Sequence, residues 1–216
     1  MNNYFSGIYK DKRVLVTGHT GFKGSWLCLW LKKLGAEVYG IALEPNTEPS
    51  HWNLLNLSME SHICDIRNLS EIKRIFQLIQ PDIIFHLAAQ PIVRVSYENP
   101  VETYTTNVLG TVNVLEASRY IPNLKAVIIV TSDKCYDNKE WVWGYRENET
   151  MGGKDPYSSS KGCAELVTAA YRDSFFSSIN NSTLIASVRA GNVIGGGDWA
   201  QDRILTDIVI SASQKR

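Results

Sequence analysis

The segment that most constrains the fold is a glycine-spaced turn directly after a short apolar run. Gly18, Gly21 and Gly24 recur at three-residue intervals after residues 14–16, and an amphipathic stretch over residues 23–34 follows at once. A strand, a tight glycine turn and a helix N-terminus leave free N–H groups that favour the negative charge of a pyrophosphate. The sequence therefore predicts a phosphate cradle for a dinucleotide, although a glycine triplet alone also fits an ordinary strand–turn–helix junction.

Apolar runs alternate with helical patterns along the rest of the chain. Its 216 residues, 44% of them hydrophobic, suffice for one α/β core. Continuous apolar runs are typical of parallel strands that are covered on both faces. We predict a Rossmann-type doubly wound parallel sheet with helices on both faces. The predicted strands are residues 13–17, 37–43, 62–66, 82–88, 125–132 and 183–189, and the predicted helices are residues 23–34, 70–80, 100–119, 155–176 and 202–216.

Two local features complete this reading of the elements. In the first helix the spacing predicts one apolar stripe of Trp26, Leu27, Trp30, Leu31 and Leu34, with Gly35 as the C-cap. After the second strand, residues 44–53 carry two prolines and several polar side chains, which predicts a loop.

Composition excludes several classes of function. The formal net charge is zero and no long basic block occurs, which argues against nucleic acid as the main partner. The four cysteines have no paired spacing and no histidine at metal-ligand spacing, so we predict reduced thiols and no metal site. No run has the length of a membrane span, and no signal peptide is present, so we predict a cytoplasmic protein.

A second motif lies near the start of the helix predicted over residues 155–176. Tyr157 and Lys161 form a YxxxK pair, whose four-residue spacing places both side chains on one helical face. An ammonium group beside a phenol lowers the phenol pKa from about 10 toward neutrality, so Tyr157 can act as a base on a hydroxyl group. The pair alone also fits a helix with a solvated lysine. Together with the glycine turn upstream, it favours a dinucleotide-dependent enzyme.

These motifs resemble those of the extended short-chain dehydrogenase/reductase family over essentially the whole chain. Epimerases of this family place an apolar or small residue after the serine or threonine that ends strand five, whereas the 4,6-dehydratases place acid/base groups there. The blocks at residues 19–26, 137–147 and 189–199 are most similar to the 4,6-dehydratases that act on CDP-glucose. Further matching blocks are Asp65-Ile66, His86-Leu87-Ala88-Ala89-Gln90, Thr106-Asn107-Val108, Gly110-Thr111 and Thr131-Ser132-Asp133-Lys134.

The resemblance implies an internal oxidation and elimination on the sugar. Tyr157 takes the 4-hydroxyl proton, water is lost across C5 and C6, and hydride returns to C6, giving a 4-keto-6-deoxy sugar. Ser132 would bind the 4-hydroxyl, Asp133 would be the acid, and Lys161 would hold the nicotinamide ribose. Lys134 would be the C5 base, which requires a lowered pKa, or a group that orients the substrate. A solvated surface pair is the alternative for Asp133 and Lys134.

The cofactor that the resemblance implies is NAD. An acidic residue at the end of strand two usually binds the ribose 2′-hydroxyl. Here that position falls near Ala42, with Glu44 two residues on, and residues 42–51 contain no arginine or lysine to receive a 2′-phosphate. NAD is therefore favoured over NADP. The residues expected to bind the cofactor are Gly18, His19, Thr20, Gly21, Phe22, Lys23, Gly24, Asp65, Ile66, Leu87, Ala88, Ala89, Gln90, Thr106, Tyr157 and Lys161.

Two side chains in these motifs keep alternatives. Lys23 could contact the pyrophosphate or be an exposed lysine at the start of a helix. His86 lies in an apolar strand and is interpreted as a core histidine rather than a catalytic one. The residues expected to bind the substrate through the resemblance are Gln90, Arg94, Ser132, Arg189 and Asn192.

The organisation that the resemblance implies is a leader over residues 1–12, an NAD-binding domain over residues 13–190 and the start of a substrate-binding region over residues 191–216. Relatives continue into a C-terminal substrate domain, so we expect most of that domain to be missing here. A homodimer is expected through the helices near 100–119 and 155–176. Two other functions stay open: a sugar-nucleotide epimerase, against which Asp133 and Lys134 speak, and an inactive NAD-binding module.

Overall fold

A six-stranded, fully parallel sheet forms the centre of the molecule in the computed structural model, which describes residues 4–177 and 182–214. The strands lie in the order β3-β2-β1-β4-β5-β6, so the chain reverses direction across the sheet between β1 and β4. This order confirms the predicted doubly wound Rossmann-type fold. The strands are β1 Arg13–Thr17, β2 Glu37–Ala42, β3 Glu60–Ile63, β4 Ile83–His86, β5 Ala126–Val130 and β6 Leu184–Val188.

Helices connect successive strands and cover both faces of the sheet, as predicted. Two of the long helices contain a π-helical turn, over residues 105–109 between α5 and α6 and over residues 172–176 after α7. The α-helices are α1 Phe22–Lys33, α2 His51–Leu55, α3 Leu69–Ile79, α4 Val93–Glu98, α5 Pro100–Tyr104, α6 Gly110–Ser118, α7 Pro156–Tyr171 and α8 Ile204–Ser213. The predicted tail helix extends to residue 216, of which residues 215 and 216 lie outside the described part.

Two apolar cores flank the sheet because successive side chains of a strand point to opposite faces. Leu15 of β1 packs with α3 and α6 on one face, where Phe76 and Leu115 are fully buried. Val14 and Val16 of the same strand pack with α1 on the other face, against Cys28 and Leu31. The central strand is therefore buried on both sides, as its continuous apolar run predicts.

Several elements differ from the prediction, and three of these differences affect residues near the sheet's carboxyl edge or its loops. The loop predicted over residues 44–53 ends in α2, because the Ser50 hydroxyl accepts a hydrogen bond from the Asn53 N–H at 3.1 Å and caps that helix. β3 begins at Glu60 and ends at Ile63, so the Asp65 side chain lies beyond the strand end. α4 was not predicted at all, since its six residues are too few for a clear period.

The predicted apolar stripe of α1 is wrong for its two tryptophans. Trp26 and Trp30 are 45% and 53% exposed, whereas Ser25 and Cys28 are fully buried. The small side chains of the buried face let α1 approach the sheet closely, which leaves the bulky rings on the outer face. The C-cap is Leu34, and the predicted Gly35 is the next residue, where its φ of 86° ends the helix.

The cysteines and the helices bear on two further expectations. All four cysteines are free, and Cys28, Cys64 and Cys135 are buried, which agrees with the predicted reduced thiols. Among residues 4–177 and 182–214, no helix combines the length and the apolar character that a membrane crossing requires.

Candidate functional site

Two adjoining cavities lie at the carboxyl ends of the strands, where open α/β sheets bind their ligands. The smaller cavity, of about 420 Å³, borders the ends of β1, β2, β3 and β4. The larger cavity, of about 840 Å³, borders the ends of β5 and β6 together with α4, α7 and α8. Phe22, Lys23 and Arg203 line both cavities and therefore mark where they meet.

The glycine turn after β1 has the close approaches that its sequence predicts. Gly18 has a φ of 74°, and a Cβ there would lie 2.7 Å from the Ala88 nitrogen. A Cβ on Gly24 would lie 2.1 Å from the Gly18 carbonyl oxygen. Real Cβ atoms do not make such contacts, so the strand, the turn and α1 can meet here only through glycine. The turn therefore brings backbone N–H groups at the start of α1 to the smaller cavity.

The smaller cavity has the composition that a dinucleotide requires. A Cβ on Gly21 would make an ordinary contact, with the Gly18 oxygen at 3.4 Å, so this residue is less crowded than Gly18 and Gly24. A diphosphate could therefore approach the backbone at this residue. Of the residues expected to bind cofactor, those that line this cavity are Gly18, Thr20, Gly21, Phe22, Lys23, Gly24, Asp65, Ile66, Leu87, Ala88, Ala89, Gln90 and Thr106.

His19 is the exception in the phosphate turn. Its ring is fully buried behind β2, where Nε2 hydrogen-bonds the Ser61 hydroxyl at 2.7 Å. A Cβ on Gly40 would lie 2.4 Å from the His19 ring, so the imidazole fills the space that this glycine leaves. Burial lowers the His19 pKa to about 4. The expectation that the His19 side chain binds cofactor is therefore corrected, because the ring points away from the cavity.

Asp65 and Arg67 form a charged pair in the lining of the smaller cavity, of which only Asp65 was predicted. Asp65 was expected near the cofactor, and Arg67 lines the cavity beside it. The Arg67 Nε donates to both oxygens of Asp65 at 3.0 and 2.9 Å, and these hydrogen bonds hold the Asp65 pKa below its usual value. Arg67 is thus occupied by a carboxylate rather than free for a phosphate group. Glu44 also lines the cavity.

Gln90 is held by the protein itself. Its amide nitrogen donates to the Thr103 hydroxyl at 2.9 Å, and its amide oxygen accepts from the Ile92 N–H at 2.6 Å. Gln90 borders the smaller cavity but not the larger one, and its expected contact with substrate stays a prediction. Asn107, in the π-helical turn, bonds both the Gln90 backbone and the Ser160 hydroxyl, and no spacing rule in the sequence pointed to this bridge.

Three of the expected catalytic residues line the larger cavity: Ser132, Lys134 and Tyr157. β5 brings Ser132 to its carboxyl end, and the N-terminal turn of α7, capped by the Asp155 carboxylate on the Ser158 N–H at 2.9 Å, brings Tyr157 to the same place. The Ser132 hydroxyl donates to the Asp133 carboxylate at 2.9 Å. Asp133 and Lys134 are both exposed, in a short 3₁₀ turn after β5.

The electrostatics of the YxxxK pair differ from the prediction. Burial raises the pKa of Tyr157, and hydrogen bonding with Ser132 opposes the rise without cancelling it. Burial and the nearby charge of Lys23 lower the pKa of Lys161 to about 8, while Glu165 acts in the opposite direction. The Lys161 ammonium lies 3.5 Å from the Val130 carbonyl oxygen. The expected lowering of the Tyr157 pKa by Lys161 is therefore absent in the protein alone.

Arg189 supports the site from beneath instead of lining it. Its guanidinium donates to the Glu165 carboxylate and to the Tyr136 hydroxyl, both at 2.8 Å. Glu165 is buried, and hydrogen bonds from Arg189, Thr131 and Ser187 outweigh its desolvation, so its pKa is lowered. The larger cavity does not include Arg189. These hydrogen bonds are all within the protein, and the expectation that Arg189 binds substrate stays a prediction.

Asn192 and Arg94 do line the larger cavity, as expected of substrate-binding residues. Arg94 is exposed and pairs with Asp202 at 2.9 Å. Arg203 was missed, because it lies in an irregular segment without a recognisable motif. The Arg203 guanidinium lies 3.6 Å from the Asp198 carboxylate. Lys23 is close enough to Arg203 that burial, followed by the charge of Arg203, lowers the Lys23 pKa. Positive charge is thus concentrated where the two cavities meet.

His86 has the structural role that its apolar strand predicts. Its Nδ1 hydrogen-bonds the Thr17 hydroxyl at 2.7 Å, and its Nε2 hydrogen-bonds the Thr111 hydroxyl at 3.2 Å. The ring is buried, and burial followed by the charge of Lys161 lowers its pKa to about 3. A neutral histidine with both nitrogens satisfied links β1, β4 and α6.

Comparison with known proteins places this geometry in context. Residues 15–191 match the profile of the family described as GDP-mannose 4,6 dehydratase. The CDP-glucose 4,6-dehydratase of Salmonella typhimurium is 60% identical over 209 residues, which cover 94% of this chain and 58% of that protein. The chain therefore spans less than two thirds of this relative's length.

Solved structures agree on the fold. The epimerase Mth375 from Methanothermobacter thermautotrophicus superposes with a TM-score of 0.84 at 25% identity, over 97% of this chain and 61% of that one. The UDP-glucose 4-epimerase of Thermus thermophilus, in complex with NAD, superposes with a TM-score of 0.75 at 27% identity, over 93% of this chain and 61% of that one.

Proposed function

This chain belongs to the GDP-mannose 4,6 dehydratase family, and from that premise we propose that it forms the catalytic part of an enzyme that dehydrates CDP-D-glucose to CDP-4-keto-6-deoxy-D-glucose. The observation that carries this proposal is the grouping of Ser132, Lys134 and Tyr157 around one cavity that adjoins the phosphate turn. The 60% identity to a CDP-glucose 4,6-dehydratase supports this substrate over other sugar nucleotides. Such a product serves the biosynthesis of deoxysugars, including those of O-antigens.

The cofactor that we propose is NAD. The close glycine contacts of the turn and the lining of the smaller cavity fit a dinucleotide diphosphate. The Arg67 guanidinium is engaged by Asp65, and Glu44 lies on the same cavity, which disfavours a 2′-phosphate. NAD⁺, when bound, supplies the oxidant for C4 of the sugar and the reductant for C6. No net redox partner is then needed.

The oxidation of C4 needs a base, and Tyr157 is the residue that we assign to it. The raised Tyr157 pKa means that the phenol alone holds its proton at neutral pH. The positively charged nicotinamide ring of bound NAD⁺ would lower the Tyr157 pKa if it lay next to the phenol, because an opposite charge favours the phenolate. Ser132 would then hold the 4-hydroxyl oxygen, and the buried Lys161 would bind ribose hydroxyl groups with its ammonium group. The base would thus be activated only after the cofactor is in place.

The elimination step needs an acid for the 6-hydroxyl and a base for the C5 proton. We assign the acid to Asp133, whose carboxylate is held by the Ser132 hydroxyl at 2.9 Å. Lys134 lines the larger cavity and is the remaining candidate for the C5 base or for a group that polarises the ketone. One side chain that donates a proton beside one that accepts a proton favours dehydration over epimerisation, because epimerisation needs no acid at the 6-hydroxyl and no base at C5.

The organisation of the whole protein is also proposed from the resemblance. The sheet ends at Val188, which supports an NAD-binding domain over residues 13–190, after a leader over residues 1–12, and a substrate-binding region that begins near residue 191. Exposed Val101 on α5, Tyr104 beside it and Leu166 on α7 support a homodimer through these helices. The free thiols support a cytoplasmic location.

The test is mass spectrometry of CDP-glucose after incubation with NAD⁺ and either this chain or the chain extended at its C-terminus to the length of the Salmonella relative. Loss of one water with either protein is the expected result. A product of unchanged mass and altered sugar configuration would show an epimerase instead. Absence of product from both, with NAD⁺ still bound, would show a binding module and overturn the proposal.

A further inference from the structure

The loop after β6 contains three consecutive glycines, and its backbone packs on the start of α1 and on α2. The Trp26 indole N–H donates to the Gly196 carbonyl oxygen at 2.9 Å. Gly197 has a φ of 87°, and a Cβ there would lie 2.5 Å from the His51 ring. A Cβ on Gly195 would lie 3.2 Å from the Phe22 ring. We refer to these interactions as the glycine-loop contact.

The surface that receives the loop is ordered by its own interactions. The Trp26 and His51 rings stack with centroids 4.5 Å apart and an interplanar angle of 27°. The His51 Nδ1 hydrogen-bonds the Ser25 hydroxyl at 2.7 Å, and that hydroxyl donates to the Phe22 carbonyl oxygen at 2.9 Å. Since a hydroxyl group has one proton, His51 is the donor to Ser25. The two rings are therefore fixed to the first turn of α1.

The glycine-loop contact joins the segment beside the larger cavity to the helix start that borders both cavities. The loop lies between Asn192 and Arg203, which both line the larger cavity, while Phe22 and Lys23 at the start of α1 line both cavities. A second side-chain contact that ties this segment to the first part of the sheet is the exposed ion pair of Arg94 with Asp202. Exposed pairs contribute about 0–1 kcal/mol. The glycine-loop contact is thus the stronger attachment.

We propose that Trp26 and His51 are positioning residues. Through the glycine-loop contact they hold residues 192–203 in a fixed place relative to the phosphate turn, so that the sugar nucleotide is bound within reach of the cofactor. This inference rests on the proposed function for its catalytic consequence. The structural part, a segment held by two aromatic rings, can be measured without any turnover.

The sequence offers a matched pair of variants in neighbouring glycines. Gly197→Ala forces a Cβ into the His51 ring and onto an unfavourable φ, whereas a Cβ on Gly196 meets nothing within 4 Å. We expect hydrogen exchange of the Trp26 indole N–H, the donor to the Gly196 carbonyl oxygen, to become about tenfold faster in Gly197→Ala and to stay unchanged in Gly196→Ala. The melting temperature and the NAD⁺ affinity should match the wild type in both. Equal exchange in the two variants would overturn the proposal.

A second pair tests the consequence for the reaction in the chain extended to the relative's length. Trp26→Phe keeps an aromatic ring but loses the donor to Gly196, and Trp30→Phe alters a ring of similar exposure one turn later that makes no such bond. The KM for CDP-glucose should rise about fivefold in Trp26→Phe, the equivalent of one hydrogen bond. kcat should change by less than about twofold, and Trp30→Phe should match the wild type.

The outcomes separate this inference from the proposed function. If the extended wild type makes no product, the proposed function fails, and calorimetric binding of CDP-glucose takes the place of the KM comparison. If product forms but Trp26→Phe lowers NAD⁺ affinity and melting temperature and raises KM to the same extent as Trp30→Phe, the two rings only stabilise the fold. That result would overturn the positioning role and leave the proposed function intact.

Discussion

The smaller and the larger cavity share one edge of the sheet but are built in different ways. Around the phosphate turn, Gly24 packs against the Gly18 backbone and Gly18 against the Ala88 backbone, and the neighbouring His19 and His86 are buried and neutral. Around the larger cavity, Asn192 and Asp133 are exposed, and the segment after β6 is attached through the Trp26–Gly196 hydrogen bond between residues 170 positions apart.

This difference teaches which part of the site depends on which interactions. The smaller cavity is stabilised by the same packing that holds β1, α1 and β4 together, so it is formed whenever the domain folds. The larger cavity depends on charged and aromatic contacts between distant segments, which are weaker and more exposed. Substitutions in the larger cavity should therefore change turnover without loss of NAD⁺ binding. The exception is the buried ion pair of Arg189 with Glu165, whose loss should lower the stability of the fold.

The largest effect is expected from Tyr157→Phe. Loss of the proton acceptor should lower kcat by about 10²–10⁴-fold, the usual contribution of a general base. NAD⁺ affinity and melting temperature should stay near the wild-type values, because the buried ring is retained. Tyr97→Phe, on the exposed face of α4, is the matched control and should have full activity. Undiminished ketone formation by Tyr157→Phe would refute the assigned role.

The next effect concerns the pair beneath the larger cavity. Arg189→Met leaves the buried Glu165 carboxylate without its partner, which should lower the free energy of unfolding by about 3 kcal/mol in urea denaturation. Arg94→Gln removes an exposed ion pair and should cost less than about 1 kcal/mol. Adding Glu165→Gln to Arg189→Met should restore part of the loss. Similar destabilisation by the two arginine substitutions would contradict the distinction between a buried support and an exposed rim.

A smaller effect is expected at the buried Lys161 on α7. Its pKa is about 8 in the folded chain against 10.5 for the free side chain, so between these values the unfolded chain binds more protons. Stability of the chain without cofactor should therefore rise with pH in that window, by about 1 kcal/mol between pH 8 and about pH 9.

The control for this pH dependence is Lys161→Met. The variant shares the raised thiol pKa values of Cys28 and Cys135, so the difference between the two urea-denaturation profiles reports Lys161 alone. The rise should be absent in the variant. Parallel profiles for the two proteins would mean that Lys161 keeps an ordinary pKa.

The same distinction explains what could be predicted from the sequence. The phosphate turn and the sheet order follow from local patterns: a glycine spacing, apolar runs and helix caps. The orientation of His19 does not, because it depends on the space that Gly40 leaves in a neighbouring strand. The motif around Arg189 was recognised, but only the folded chain brings Glu165 beneath it.

The raised Tyr157 pKa is a second case in which spacing was insufficient. A four-residue interval places Tyr157 and Lys161 on one face, but burial and distance to other charges decide the pKa. Arg203 and Trp26 were missed as site residues for a related reason. Arg203 lies outside every matching block, and Trp26, at the end of the block over residues 19–26, was assigned to the apolar stripe of α1. Each is placed by contacts across the fold.

The most direct test of the central claim follows the hydrogen on C4 of the sugar. CDP-glucose that carries deuterium at C4 is incubated with NAD⁺ and the chain extended to the length of the Salmonella relative, and the product is analysed by mass spectrometry and NMR. We predict loss of one water with the deuterium retained and located on C6. Deuterium that remains on C4 of a product with unchanged mass would contradict the dehydratase account.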